Sequence, residues 1–277
     1  KRYIGILFLI AFTLSITGNV NAQKGLLRHA NKLYEYKAYA EAIPKYEQAL
    51  KMDSTLADAI FNLADCYRLV NNSKKAEKYF GKAVMIAGAK PINKYYYAQA
   101  LMQNGKYQQA EKYMNEFSAD DRGKTFTEAI KNLDAFYKDT ALYTIKFAPF
   151  NSSENDFSPV IQDKDIVFVS ARKRVTIFKY THRWTNEEYY FLYKTHIGKK
   201  AKYIRPKLFA RNIQIRYNDG PICFESGSKT IYFTRNNLRK NKAVKAENGD
   251  VKLNLYVAQF NAVKKRFDNI EGFHFNS

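Results

Sequence analysis

Three pairs of alanines set at a fixed interval constrain this 277-residue chain more than any other feature. Ala30 and Ala42, Ala64 and Ala76, and Ala98 and Ala110 each stand 12 residues apart, and successive pairs are offset by 34. Only small side chains fit where two helices cross closely. A need that returns at a constant interval means that each helix pair packs like the one before it. Other positions keep the phase. Tyr46, Phe80 and Met114 follow the second alanine by four residues, and Ala49, Ala83 and Phe117 come three later on the same helix face. Leu33, Tyr67 and Leu101 hold the equivalent place three residues after the first alanine. Tyr39 and Tyr107 open the second helix of units one and three, and Ser73 replaces the aromatic in unit two.

A 34-residue period of paired helices resembles the tetratricopeptide (TPR) repeat. The resemblance implies a solenoid that binds partners and seldom catalyses. Pro44 is expected in the first turn of its helix, where a missing N–H is tolerated. The amphipathic stretch Thr125–Tyr137 is predicted to cap the last repeat. Counted from the alanine phase, the inner face of the first helices carries Leu27, Asn31 and Tyr34, then Phe61, Asp65 and Arg68, then Tyr95, Gln99 and Met102. Aromatics mixed with such polar groups suit recognition of a peptide or helix through apolar anchors and a few hydrogen bonds.

The N-terminus reads as a secretory signal peptide. Lys1 and Arg2 precede an apolar run from Tyr3 to Ile16, and Val20-Asn21-Ala22 supplies small residues for cleavage after Ala22. The run is too short to span a bilayer. Cys66 and Cys223 fall in different segments and are expected to be buried small hydrophobes rather than a disulfide. The four histidines have no metal-ligand spacing with one another or with the cysteines. Charge is unevenly spread: residues 23–140 carry 19 basic and 14 acidic side chains, and residues 141–277 carry 25 and 12. In an exported chain, such a field favours anionic envelope material or an acidic partner over nucleic acid.

After Asp139 the helical spacing gives way to short apolar or alternating runs bounded by turn residues. Strands are predicted at Tyr143–Phe147, Ile166–Ser170, Tyr189–Tyr193, Ile231–Thr234 and Leu253–Ala258. This half repeats too. Pro159 and Pro221 are 62 apart, Ile166-Val167-Phe168 and Ile231-Tyr232-Phe233 are 65 apart, and Leu192-Tyr193 and Leu255-Tyr256 are 63 apart. Several short strands per period is the sequence form of a propeller blade. Asn151-Ser152, Asp156-Phe157-Ser158-Pro159 and Ile166-Val167-Phe168-Val169-Ser170-Ala171-Arg172 resemble the WD40-like β-propeller repeat of periplasmic proteins, the TolB type. In the second period Gly220 stands where Ser158 does, and Arg235 falls near the place of Ser170.

A signal peptide, a TPR array and such a propeller together resemble the PorE-like group of OmpA-family envelope proteins, associated with type IX secretion and gliding. That resemblance implies a further domain and a peptidoglycan-binding OmpA-like domain beyond Ser277. Two blades do not close a propeller, so the chain is expected to be the N-terminal part of a longer protein; the alternative is a small two-period sandwich or a self-assembling half propeller.

The sequence contains no Gly-rich phosphate loop, no G-x-S-x-G, no H-E-x-x-H and no clustered His, Cys and Asp set. Arg172, Lys173 and Arg174 follow the apolar strand of the first blade, and Arg235, Arg239, Lys240, Lys242 and Lys245 follow that of the second. Insertions at one point of a repeat project from one side of an array, so a shared basic rim is expected there.

The predicted fold is α+β and multidomain: residues 1–22 a signal peptide, 23–140 an α-helical TPR solenoid of three repeats with a capping helix, and 141–277 the first two blades of an incomplete, all-β WD40-like β-propeller. The expected function is that of a non-enzymatic scaffold or adaptor of the bacterial cell envelope, periplasmic and peripheral to the outer membrane. It would bind other envelope proteins or an anionic envelope polymer, and meet peptidoglycan only through a domain absent here. No cofactor, metal, nucleic acid or transmembrane span is expected. The alternative is a periplasmic propeller that binds a small ligand or glycan, or a hydrolase whose site lies beyond Ser277.

Overall fold

The computed structural model describes residues 21–117, 121–175, 179–196, 198, 203–225, 227, 229–239 and 242–276. All but the last two residues of the expected leader, and Lys240 of the expected rim, lie outside them. The chain forms two compact units, residues 21–144 with Arg183–Asn186, and residues 145–182 with 187–276. No helix among the described residues is long and apolar enough to cross a membrane.

The first unit is a run of antiparallel helix pairs: α1 (21–35) with α2 (Tyr39–Met52), α3 (Ala57–Leu69) with α4 (Ser73–Ala83), and α5 (Ile92–Gln103) with α6 (Tyr107–Glu116). All six phased alanines are buried, none more than 1% exposed. Tyr46, Phe80 and Met114 fill the space beside them. The turn inside each pair also repeats. Lys37, Asn71 and Gly105 sit 34 apart with φ of 56°, 57° and 76°. The N–H of the next residue (Ala38, Asn72, Lys106) donates five residues back, to the carbonyls of Leu33, Tyr67 and Leu101, each at 2.9 Å. This left-handed closure satisfies carbonyls that the end of the helix would otherwise orphan.

Three expectations for this unit are corrected. Pro44 lies inside α2, five residues past its start, rather than in the first turn. It therefore withdraws an i→i−4 donor. The capping segment is two helices, α7 (Asp121–Lys131) and the short α8 (Leu133–Tyr137). Ile130 is buried, but Phe136 and Tyr137 are 74% and 52% exposed, so the amphipathic stripe outruns the surface it packs on. The Tyr143–Phe147 segment forms no strand, and Tyr143, Ile145 and Phe147 stand in solvent. Alternation alone supplies no ladder partner.

The second unit holds two four-stranded antiparallel meanders. The first pairs β1 (Asp156–Gln162), β2 (Asp165–Ser170), β3 (Phe191–His196) and β4 (Lys207–Leu208) in that order. The second runs β5 (Asp219–Phe224), β6 (Thr230–Asn236), β9 (Leu253–Asn261) and β10 (Arg266–Gly272), with a small hairpin of β7 (Leu238–Arg239) and β8 (Lys242–Ala243) beside it. Val167, Val169 and Leu192 of the first sheet pack on Ile222, Ile231 and Phe233 of the second, with Phe209 and Ile213 of the connecting segment between them. Cys66 is buried as expected, whereas Cys223 is exposed, because it alternates with the buried Ile222 along β5.

The two sheets share a polar knot repeated at 63 residues. Asp156 accepts from the Ser152 N–H and pairs with Arg172 at 3.0 Å, while Arg172 also donates to the Phe150 carbonyl. Asp219 accepts from the Ile215 N–H and pairs with Arg235 at 3.0 Å, while Arg235 donates to the Ile213 carbonyl. Each guanidinium lies over a Phe of the second strand and a Tyr of the third, Phe168 with Tyr193 and Phe233 with Tyr256.

The link onward from each third strand repeats as well. Phe209 N–H and the Gln214 amide donate to the Leu192 carbonyl, and Phe273 N–H and the Asn276 amide donate to that of Leu255.

Candidate functional site

The first helices of the three pairs, α1, α3 and α5, carry a continuous polar and aromatic chain. The Tyr34 hydroxyl on α1 donates to Asp65 on α3 at 2.7 Å. Arg68, one turn further along α3, donates from Nε to Asp65 at 2.8 Å and forms a second contact from Nη2 at 2.7 Å. The Arg68 guanidinium then lies 4.1 Å from the ring centroid of Tyr96 on α5. The Asp65 and Arg68 side chains keep 18% and 30% of their surface, so the chain is held in place yet reachable. Burial, and then the hydrogen bond to Asp65, push the Tyr34 hydroxyl far above the ordinary phenol value, so it stays a proton donor.

The structure therefore joins Tyr34, Asp65 and Arg68 of the predicted face. Leu27 and Phe61 are half-buried and pack on the core of the first two pairs. Asn31 turns to the Tyr46 hydroxyl, which donates to it at 2.7 Å and accepts from Asn62 at 3.1 Å. Tyr95 is buried against Phe117 and Phe126 with Arg122 over its ring. Its hydroxyl accepts from Gln99, and Met102 packs in the same cluster.

Sequence phase put Tyr95, in register with Leu27 and Phe61, on the inner face, whereas it is Tyr96 that lies under Arg68; the two are about 100° apart on the helix. It also passed over Trp184, the sole tryptophan. Within the helical unit, Trp184 donates from its indole N–H to the Leu69 carbonyl at 2.7 Å and stands edge-on to Tyr39, which meets Tyr34 in turn. Arg183 beside it pairs with Glu41 at 2.7 Å.

The expected basic rim is not a single surface. Arg235 is 5% exposed and committed to Asp219. Arg172 is half-buried on Asp156, Lys173 meets Glu154 at 3.1 Å, and Arg174 reaches Glu188 and the face of Phe191. Arg239 and Lys242 flank the small β7–β8 hairpin and Lys245 bridges Val251. The rim reading fails for Arg235 because its position opposite Asp219 on β5 turns it into the core. Among the described residues no group of three or more His, Cys, Asp and Glu side chains is placed to hold a metal.

The fold and this face define the helical unit as an array of TPR-like repeats. The family model for anaphase-promoting complex, cyclosome, subunit 3 matches residues 35–117. Among solved structures, PcrH from Pseudomonas aeruginosa is 15% identical over 40% of this chain and 92% of its own, with a TM-score of 0.35. The type III secretion chaperone SycD of Yersinia enterocolitica, solved with a peptide of the translocator YopD, is 17% identical over 40% and 93%, with a TM-score of 0.36. YrrB, a TPR protein with an unusual peptide-binding site, is 20% identical over 47% and 69%, with a TM-score of 0.38.

Proposed function

We propose that this chain is a non-enzymatic interaction scaffold whose TPR-like array seats a segment of a partner protein on the face built from Tyr34, Phe61, Asp65, Arg68 and Tyr96. One observation carries the reading: the Tyr34–Asp65–Arg68–Tyr96 chain links all three first helices while the Arg68 side chain keeps 30% of its surface. Preorganised polar groups beside half-buried aromatics are what peptide anchoring requires. The matched family model describes a subunit of a multiprotein complex, in keeping with that role.

The strand-rich unit is read as two blades of a WD40-like propeller, supported by the 63-residue polar knot and by the repeated clamp on Leu192 and Leu255. With the signal-peptide reading of residues 1–22, this favours an exported, PorE-like scaffold at the periplasmic side of the outer membrane, working with a type IX secretion assembly and meeting peptidoglycan through a domain beyond Ser277.

The test is capture of envelope proteins by tagged chain from a cell that carries type IX secretion, with wild type and a Phe61→Ala/Arg68→Ala variant compared at matched folding by circular dichroism. Loss of the captured proteins in the variant supports the groove. Equal capture places the contact elsewhere, and capture confined to cytosolic proteins overturns the envelope reading.

A further inference from the structure

A second group of basic side chains in the strand-rich unit stands around the β1–β2 turn, away from Arg172 and Arg235. The β1–β2 turn, the end of β3, the approach to β4, the β5–β6 turn and the β9–β10 turn surround an open cleft of about 980 Å³. Its apolar wall comes from Ile204, Phe209, Phe260 and Phe267. Phe267 meets Phe260 edge-on at 5.4 Å and Phe209 at a tilt at 5.7 Å. Two of these rings are buried, while Ile204 and Phe260 keep 51% and 41% of their surface, so the wall faces the opening.

Around it stand Lys164, Lys194, Arg205, Lys207 and Lys229, opposed by Asp163 and Asp165. Asp165 is already engaged by Lys194 at 2.9 Å and His196 at 2.8 Å. Among the described residues, no carboxylate lies within 4.0 Å of Lys164, Arg205, Lys207 or Lys229. Lys207 is also the cross-strand partner of Lys194, whose charge Asp165 already meets. The Phe260 N–H donates to the Lys229 carbonyl, which sets that lysine beside the exposed ring.

We propose that this cleft binds a soluble amphiphilic anion, its apolar body on Phe260, Phe267 and Ile204 and its carboxylate or phosphate group between Lys207, Lys229 and Arg205. The volume fits a small molecule rather than a protein surface, and among the described residues four unmatched cations outnumber the one unmatched carboxylate, Asp163. The site belongs to the strand-rich unit alone and does not depend on the scaffold reading.

Fluorescence titration of the full chain with anilinonaphthalene sulfonate tests it, with decanoate, decyl phosphate and decanol as competitors and phosphatidylglycerol vesicles as a separate arm. Saturable binding is expected that decanoate and decyl phosphate displace, that decanol displaces about tenfold less well, and that weakens as salt rises. A Lys207→Glu/Lys229→Glu variant is expected to bind about tenfold or more weakly, and Lys45→Glu on the helical unit to bind as wild type. Because Lys207 and Lys229 are exposed, the double variant keeps its fold; Phe260→Ser, also at an exposed position, is expected to lose binding by removing the wall. Equal competition by decanol, undiminished binding by the double variant, or binding to vesicles alone would each overturn the proposal.

Discussion

Arg235 lies 3.0 Å from Asp219 with its side chain 7% exposed and that of Asp219 fully buried. Sixty-three residues earlier, Arg172 and Asp156 make the same pair with 16% and 7% exposure. Depth therefore separates two otherwise equivalent ion pairs. Removing one partner of a buried pair strands the other charge, at a cost of about 3–5 kcal/mol. Arg235→Met is expected to destabilise the strand-rich unit by up to that amount in urea denaturation at pH well above 7, and by less near neutrality, where the stranded Asp219 protonates. Arg172→Met is expected to cost about 1–2 kcal/mol, because Ser152 and Ser170 still serve Asp156. Asp219→Asn is expected to recover much of the Arg235→Met loss.

The same contrast gives opposite pH dependences. Burial pushes the Asp219 carboxyl up to about 7, against the Arg235 charge and the Ile215 N–H. Its folded value exceeds the unfolded one of about 4, so stability falls as pH rises from about 4 through 7 and is level above that. At Asp156 burial also raises the value, but hydrogen bonds from Ser152, Ser170 and Arg172 outweigh it and hold the carboxyl below its ordinary range. That contribution is present above about pH 4 and is lost as pH falls below it. Denaturation midpoints of Asp219→Asn measured from pH 4 to 8 should lack the decline seen in the wild type.

Lys37 occupies a left-handed turn that Asn71 and Gly105 fill in the next two repeats. A lysine there carries a Cβ penalty that glycine lacks. Lys37→Gly is expected to raise the melting temperature of the helical unit, by about 0.5–1 kcal/mol of stability. Gly105→Ala should lower it by about 1 kcal/mol through φ alone, since no atom lies within 4 Å of the added Cβ.

Gly220 and Thr234 face each other across β5 and β6. A Cβ on Gly220 would stand 2.1 Å from Thr234 Oγ1, an atom that is buried without a hydrogen-bond partner. Gly220→Ala is expected to cost about 1–3 kcal/mol by overpacking. Thr234→Val removes the orphaned hydroxyl and is expected to be neutral or stabilising by about 1 kcal/mol. Thermal melts of the two variants distinguish these signs.

Ala64 and Ala98 are fully buried at the crossings of their helix pairs. Ala64→Leu is expected to destabilise the helical unit by about 1–3 kcal/mol, whereas Ala57→Leu at the half-buried start of α3 should change it little.

The helical half was legible because its packing is local and periodic: a residue forced to be small at one crossing is forced to be small at all of them. The 63-residue spacing of the second half was legible too, but the knot that causes it was not. Arg172 reaches back to Asp156 from two residues beyond Ser170, whereas Arg235 sits directly opposite Asp219. At the 63-residue period Asp156 and Arg172 align with Asp219 and Arg235, but the apolar triplets, 65 apart, set Arg235 near Ser170 and so hid the match. The expected face included Tyr95, whereas the ring under Arg68 is that of Tyr96, because helix rotation turns a unit error in phase into a different surface. The cleft at Lys207 and Lys229 is assembled from five chain segments and leaves no local pattern.

Each helix pair closes its own turn with a bond from the residue after Lys37, Asn71 or Gly105 to a carbonyl five residues behind. Since every joint is sealed by atoms on its own side, cutting out or copying one 34-residue block would leave no ragged seam. The array can be lengthened like a chain of identical links, and a version shortened by the stretch from Ala38 to Asn71 should still meet its neighbour at a finished turn.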